Sequence, residues 1–459
     1  MTTTQQKICI IGAGPAGLAM ARACLVAGVP YDQFDAHSDV GGLWDIDQPG
    51  SPMYESAHFI SSKTMSGFDG FPFPADYPDY PSHRQILTYI RAFADHWSLR
   101  DRIRFSTRIA DIEKQDEGDW IVTLDSGERR RYLGVVCATG SNWHPRIPEF
   151  KGHFDGEIRH SGTYRSPDEF RGKRVMVVGA GNSGVDIACD AATNADRAFL
   201  SVRRGYHFVP KHIMGTPTDV FASSGPKLPL WLMRIVFGGL LKFYVGDVTR
   251  VGLPKPDHKL LESHPILNTQ VLHHMHHGDL IAKPDIDRLD GNGVIFKDGT
   301  REELDMILLA TGYTQVQPYA RDYFRYEGGR PNMYLQLFSR EHRNLTAPSF
   351  IETNSGAFKL FDLMAFAIAN HIKDQIDGKP QAAQMARMIR EDAPDLTGGI
   401  RFVASDRHAS YFDSDSWQKY LKGIFRKMGW TLPDRHPAVT TNTPPKPGSN
   451  VTSFKIAAE

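Results

Sequence analysis

The chain has 459 residues, enough for two or three domains with cores of their own. It is 41% hydrophobic and 23% charged, with 53 Lys and Arg balancing 53 Asp and Glu. That composition excludes a disordered polyelectrolyte, and the absence of net charge excludes attraction to nucleic acid through a global basic field.

The first residues, MTTTQQK, carry no basic region, long apolar core or cleavage site, so a cytoplasmic location is expected. Residues 7–11 (KICII) read as a buried parallel strand, followed by a turn at 12–17 and a helix pattern to about Ala27. A second strand ends near Asp35, completing a βαβ unit. The turn reads Gly12-Ala13-Gly14-Pro15-Ala16-Gly17, the Gly-x-Gly-x-x-Gly spacing. Gly12 permits the tight turn, Gly14 lets backbone amides approach a pyrophosphate, and Gly17 lets helix and strand pack closely. The helix N-terminus adds partial positive charge. Asp35 lies 18 residues after Gly17. A carboxylate there accepts both ribose hydroxyls and repels a 2′-phosphate, which suits FAD or NAD rather than NADP.

Further along, 67–82 is rich in Pro, Phe, Asp and Tyr and is expected to be an ordered loop on the cofactor side. Ser82 is placed to cap a helix over 85–96. Residues 120–124 and 132–138 read as strands, the second running into Ala138-Thr139-Gly140. Cys9, Cys24, Cys137 and Cys189 lie in or beside apolar stretches without a Cys-x-x-Cys pair, and read as buried free thiols.

The βαβ pattern then restarts: strand 174–178 (RVMVV), turn 179–184, helix 185–193, strand 198–202. This internal repeat is the strongest organisational signal in the chain. Gly179-Ala180-Gly181-Asn182-Ser183-Gly184 repeats the glycine spacing, but no acid stands where Asp35 stands in the first unit. Arg203 and Arg204 follow the strand instead, and guanidinium groups there can hold a 2′-phosphate, pointing to NADPH. Two different dinucleotides in one chain, a flavin and a nicotinamide, imply hydride transfer from the second to the first. Residues 210–265 interrupt this unit. Within them, 229–246 (PLWLMRIVFGGLLKFYVG) is the one stretch that resembles a membrane span, but it carries Arg234 and Lys242 and is marginal in length. It reads as a buried or substrate-lining helix, association with a membrane surface being the other reading. Strands are expected at 294–298 and 306–310, a helix at 357–376, and a poorly ordered tail late in the chain. His273, His274, His276 and His277 precede Gly278, a natural helix C-cap, and no metal is expected there.

The expected fold class is α/β, with two Rossmann-like dinucleotide-binding domains, the NADP domain inserted in the FAD domain and carrying a helical insertion. The expected division is 1–160 for the first part of the FAD domain, 161–312 for the NADPH domain, 313–435 for the rest of the FAD domain with substrate-side helices, and 436–459 for the tail.

Between the two glycine turns stand Phe154-Asp155-Gly156, His160 and Tyr164-Arg165. Gly41-Gly42-Leu43-Trp44 follows the first acid, Ala310-Thr311-Gly312-Tyr313 closes the second unit, and Ser62-Lys63 precedes Phe71-Pro72-Phe73-Pro74. Over residues 7–380 this pattern resembles the flavin-containing monooxygenases, class B flavoprotein monooxygenases that carry Phe-x-Gly-x-x-x-His-x-x-x-(Tyr/Phe)-Lys between their glycine turns. Arg165 replaces the final lysine; a tryptophan at Tyr164 would suggest the related Baeyer–Villiger enzymes. The resemblance implies FAD on Gly12, Gly14, Pro15, Ala16, Gly17, Asp35, Gly42, Leu43 and Trp44. It implies NADPH on Gly179, Gly181, Asn182, Ser183, Gly184, Arg203 and Arg204. It implies a flavin hydroperoxide made from NADPH and O2, and oxygen transfer to nitrogen or sulfur of a small organic substrate. Neither nucleic acid nor a firm membrane anchor is expected as a partner, and a homo-oligomer is compatible with the sequence.

One position departs from the family. Its flavin-side loop usually reads Thr-Asn-x-x-Lys, and alignment on Lys63 places Ile60 at the asparagine and Phe59 at the threonine. Isoleucine donates no hydrogen bond. Either Ser61, His58 or Lys63 substitutes, or NADPH oxidation leaks to hydrogen peroxide. The rival readings are a Baeyer–Villiger enzyme or other diverged hydroxylase, a disulfide reductase lacking its cysteine pair, and a nucleotide-sensing binding protein.

Overall fold

The computed structural model describes residues 6–440 except 117, 226–227, 328–329 and 404–410. Two sheets organise it, one mixed and one wholly parallel. The first runs, edge to edge, Met333–Tyr334, Phe338–Ser339, Leu345–Thr346, Gly134–Cys137, Ile8–Ile11, Tyr31–Phe34 and Ile103–Arg104. Its central strand, Ile8–Ile11, is buried along its whole length and pairs in parallel with Tyr31–Phe34 and Gly134–Cys137. The second sheet is parallel throughout, in the order Leu280–Lys283, Arg197–Ser201, Arg174–Val178, Met306–Leu309, Glu157–His160. The first sheet thus draws strands from both sides of the segment that builds the second, as expected for one nucleotide unit inserted in another.

The predicted βαβ units form where local pattern dictates. Helix Pro15–Ala27 starts with Pro at its first position and ends on Gly28 in the left-handed region. Helix His83–His96 begins with a full capping box between Ser82 and Gln85. Helix Asn182–Asn194 follows the second turn. The four cysteines are buried and free.

Helix Ala357–Ile376 packs along helix Pro15–Ala27 and is locked there by a buried ion pair, Arg22 with Asp362, both side chains fully shielded. The carboxylate also accepts from the Asp69 amide at 2.7 Å, and Arg22 donates to the Asp69 carbonyl at 2.8 Å. Burial of the pair is costly and is offset by these contacts and by the rings of Phe93, Trp97 and Phe366 around the Arg22 guanidinium.

Four expectations change. The single strand over 132–138 is two elements in two sheets: Arg129–Tyr132 closes an antiparallel three-stranded sheet and Gly134–Cys137 pairs in parallel within the first sheet. The switch falls at Gly134, where a Cβ would meet the Asn344 side chain at 2.7 Å. The 67–82 loop is ordered but does not line the cleft; behind it Phe68 stacks on Tyr89 and Phe93, Phe73 stacks on Tyr89, and Phe71 meets Phe93 edge-on. The tail begins later than composition suggests, since Pro437–Thr440 is helical with Val439 buried; the expected tail from 441 onward lies outside the described residues. The apolar stretch at 229–246 is helical over Leu230–Val245, yet neither buried nor cleft-lining: Leu241 is its one buried residue. Among the described residues no helix is long and apolar enough to cross a membrane.

Candidate functional site

A cleft of about 1830 Å³ runs between the two sheets and is lined by both glycine turns. Typical single-ligand pockets hold about 300–1,000 Å³, so this volume suits two large ligands at once.

The two turns are built alike. Gly12 has φ +110° and Gly179 φ +104°, backbone that a side chain rarely adopts. Each lies under a second element with the same sequence. A Cβ on Gly12 would stand 2.5 Å from the Ala138 carbonyl oxygen, and one on Gly179 2.6 Å from that of Ala310. Ala138-Thr139-Gly140 and Ala310-Thr311-Gly312 are therefore equivalent parts of the two units. A Cβ on Gly17 would collide with the Gly12 carbonyl, and one on Gly184 with that of Gly179, so each helix starts in direct contact with its turn. Gly14 and Gly181 are the two N-caps, and neither helix start is capped by a side chain. Both helix N-termini are free to take an anion.

At the first turn Gly12, Gly14, Pro15, Ala16, Gly42, Leu43 and Trp44 line the cleft. Gly17 stands behind them. Asp35 also lines it, with one carboxylate oxygen accepting from the Ala13 amide at 2.5 Å and the other from the His37 amide at 2.7 Å. Burial raises its pKa above the ordinary carboxylate value, and these amide bonds oppose the shift. Each oxygen retains a lone pair for a further donor.

At the second turn Gly179, Gly181, Asn182, Ser183 and Gly184 line the cleft, with Arg203 and Arg204 at the end of the adjoining strand. The two arginines differ. Arg204 stacks over the Tyr206 ring at 5.5 Å and donates to Ser263 Oγ at 3.3 Å. Arg203 is exposed and, among the described residues, has no hydrogen-bond or ion-pair partner.

The flavin-side loop brings His58, Phe59, Ile60 and Ser61 to the cleft. Ile60 is 37% exposed there. Phe59 is buried edge-on against Trp44, Phe73 and Phe358. His58 Nδ1 lies 2.8 Å from the Ser56 carbonyl, so that nitrogen donates and Nε2 is left to accept. Ser61 Oγ lies 2.7 Å from Ser66 Oγ. Lys63 is not in the lining; its ammonium donates to the carbonyls of Ala75 and Tyr77.

The connecting motif forms the seam between the units. His160 Nε2 donates to the Gly312 carbonyl at 3.0 Å while Nδ1 accepts from the Gly162 amide, and burial lowers its pKa, keeping it neutral. Tyr164 is buried flat against Phe170 and donates to Asp190 at 2.9 Å; Ser56 donates to the same carboxylate oxygen at 2.5 Å. Arg165 binds four carbonyls, those of Gly162 and Tyr164 on its own segment and of Ser51 and Met53 on the flavin side. Tyr54, 3.5 Å from Asp186, adds a further link. Burial raises the pKa of both Asp186 and Asp190.

The sequence model of the flavin-binding monooxygenase-like family matches residues 5–414. The chain belongs to that family. Flavin-containing monooxygenase 5 of Mus musculus is 30% identical over 432 residues, spanning 88% of this chain and 80% of that protein. Among solved structures, NADP+-bound cyclohexanone monooxygenase from Rhodococcus sp. Phi1 superposes with a TM-score of 0.65 at 18% identity, covering 92% of this chain and 97% of that one. S-allyl-L-cysteine S-oxygenase from Allium sativum gives 0.61 at 19% identity, covering 96% and 94%. This flavin monooxygenase uses FAD, NADPH and O2 on a small organic substrate. Its cleft fits two dinucleotides: each glycine turn is a cradle that a Cβ would fill, and each faces an uncapped helix start.

Several cleft residues escaped the sequence reading. Trp143, His264, Gln317 and Tyr411 line the walls but carry no local motif. The repeated Ala-Thr-Gly triplet was visible in the sequence, and its recurrence after corresponding strands is the signal that pairs each copy with its glycine turn.

Proposed function

We propose that this monooxygenase binds FAD at Gly12–Gly17 with Asp35 on the ribose, and NADPH at Gly179–Gly184 with Arg203 on the 2′-phosphate. It then transfers one oxygen atom to nitrogen or sulfur of a soft nucleophile. NADPH, a proton, O2 and substrate give NADP+, water and the oxygenated product. FAD supplies the redox chemistry; the chain's residues hold both cofactors, align them and exclude water. The domain limits expected from the sequence, and a cytoplasmic location, belong to the same proposal.

The observation that carries the preference for nitrogen or sulfur over Baeyer–Villiger insertion is Tyr164. Its hydroxyl meets the buried Asp190, a bond that tryptophan, the mark of the Baeyer–Villiger motif, would place differently. Purified enzyme with NADPH and panels of sulfides, tertiary amines and ketones tests this. Sulfoxides and N-oxides are expected to dominate; lactones or esters as the main products would overturn it.

Ile60 supports a second feature of the activity, partial uncoupling. It presents an apolar side chain to the cleft where the family places an amide, and Lys63 is held away by loop carbonyls. Part of the NADPH consumed is expected to appear as hydrogen peroxide, measured beside oxygen uptake.

A further inference from the structure

The loop that brings His58, Ile60 and Ser61 to the cleft is gripped on both flanks by carboxylates distant in the chain. On the upstream flank Ser56 donates to Asp190 at 2.5 Å, and the Tyr54 hydroxyl lies 3.5 Å from Asp186. Asp186 and Asp190 stand four residues apart on helix Asn182–Asn194, so one face of the helix that opens at the second glycine turn receives both hydroxyls. On the downstream flank the Ser62 amide donates to Asp219 at 2.7 Å. Asp219 belongs to helix Thr218–Ser224 of the insertion, and its other carboxylate oxygen accepts from the Val220 amide at 2.8 Å, which holds the side chain in place.

The flavin side contributes backbone bonds of its own. The His83 amide donates to Ala57, the Phe59 amide to Pro81 and the Lys63 amide to Asp79, at 2.8–2.9 Å. Ile60 and Ser61 lie between the last two. Beside them Ser62 is fully buried, so without Asp219 its amide would be left unpaired away from water. An amide on a carboxylate is also the stronger, charge-assisted kind of bond. His58 and Ser61 bond to neighbours in their own segment, the Ser56 carbonyl and Ser66, and so move with it.

The loop therefore takes its place only when helix Asn182–Asn194 and the insertion are seated against it. We infer, resting on the cofactor placement and oxygen transfer proposed above, that Asp190 and Asp219 are positioning residues for that reaction. Neither lines the cleft. They act through Ser56 and Ser62, fixing the flanks of the segment that presents Ile60 and closing it against water. With the loop held, oxygen passes to substrate. With it loose, NADPH, a proton and O2 give NADP+ and hydrogen peroxide.

Oxygenated product, hydrogen peroxide and NADPH consumed, measured together on flavin-loaded protein, test this. Ser56→Ala removes one donor to Asp190 and leaves Tyr164 on it. Asp219→Ala removes the acceptor at the other flank, whereas Asp219→Asn keeps a carbonyl oxygen for the Ser62 amide. Ser56→Ala and Asp219→Ala are each expected to cut the ratio of product to peroxide at least about threefold, while the dissociation constant of NADPH from stopped-flow flavin reduction changes less than about twofold. Asp219→Asn is expected to recover most of the parent ratio. His212→Ala is the control: it cuts another tie of the insertion, to Asp79 at 3.0 Å, between residues that do not line the cleft, and is expected to keep the parent ratio. The two flanks are probed by separate variants, so a fold lost in one leaves the other to decide. An unchanged ratio in the folded alanine variants, no recovery in Asp219→Asn, or an equal fall in His212→Ala would overturn the proposal. A parent that consumes NADPH without forming any oxygenated product would instead overturn the reading of the reaction beneath it.

Discussion

Arg203→Ala isolates the interaction that separates NADPH from NADH. The side chain is exposed and engages no other described group, so its loss leaves the fold intact. Arg204 is tied to Tyr206 and Ser263 and keeps its place in the variant. A hydrogen bond between a guanidinium and a phosphate contributes about 1.5–3 kcal/mol, and partial solvation sets the lower part of that range here. About 2 kcal/mol corresponds to roughly a 30-fold weaker hold on NADPH. NADH has no 2′-phosphate, and its binding is expected to change less than about twofold. The assay is the dissociation constant of each nucleotide from stopped-flow flavin reduction, which avoids the ambiguity of KM. The effect on NADPH should shrink as salt rises. An equal loss for both nucleotides, or none for either, would refute the assignment of the phosphate to Arg203.

Three further outcomes are expected. Ile60→Asn restores a donor to the cleft and should lower hydrogen peroxide released per NADPH several-fold; an unchanged ratio would remove the role given to this position. Arg165→Lys leaves an ammonium that cannot span carbonyls on both sides of the seam, weakening it by about 2–3 kcal/mol through lost charge-assisted bonds. It should lower the unfolding temperature and raise peroxide release together, and no change in either would refute the seam. His371 is buried, and desolvation lowers its pKa from 6.5 to about 4. It is neutral in the fold but protonates in the unfolded chain near pH 6.5, so its contribution to stability is present above pH 6.5 and is lost between 6.5 and 4. Between pH 7 and 5 this amounts to about 2 kcal/mol, and denaturant unfolding of His371→Asn should show a correspondingly flatter pH dependence.

Much of the fold was legible because a βαβ unit is local. Strand, glycine turn and helix lie within about 30 residues, so Arg174–Val178 emerges at its predicted bounds. Long-range packing left weaker marks. The apolar run at Leu230–Val245 reads the same whether its face is covered or bare, since coverage depends on Val209 and Leu260, distant in the chain. Arg165 was recognisable only as a departure from a motif. Its partners are backbone carbonyls, which every residue has, so no pattern of side chains announces them. Lys63 likewise spends its charge on carbonyls that composition cannot locate. Asp35 and Arg203 were readable because selectivity for a ribose or its phosphate rests on charge at a fixed place after a strand.

The interleaving of the two sheets bears on how the chain becomes a protein at all. The all-parallel sheet is complete once residues 157–309 have been made. The other sheet waits: Gly134–Cys137 finds its outer neighbour only when Leu345–Thr346 arrives some 210 residues later. Such distant pairing is slow, and an unpaired strand edge invites aggregation while it lasts. During synthesis the inserted unit can therefore fold first and bring the two halves of its host together, turning a long loop closure into a short one.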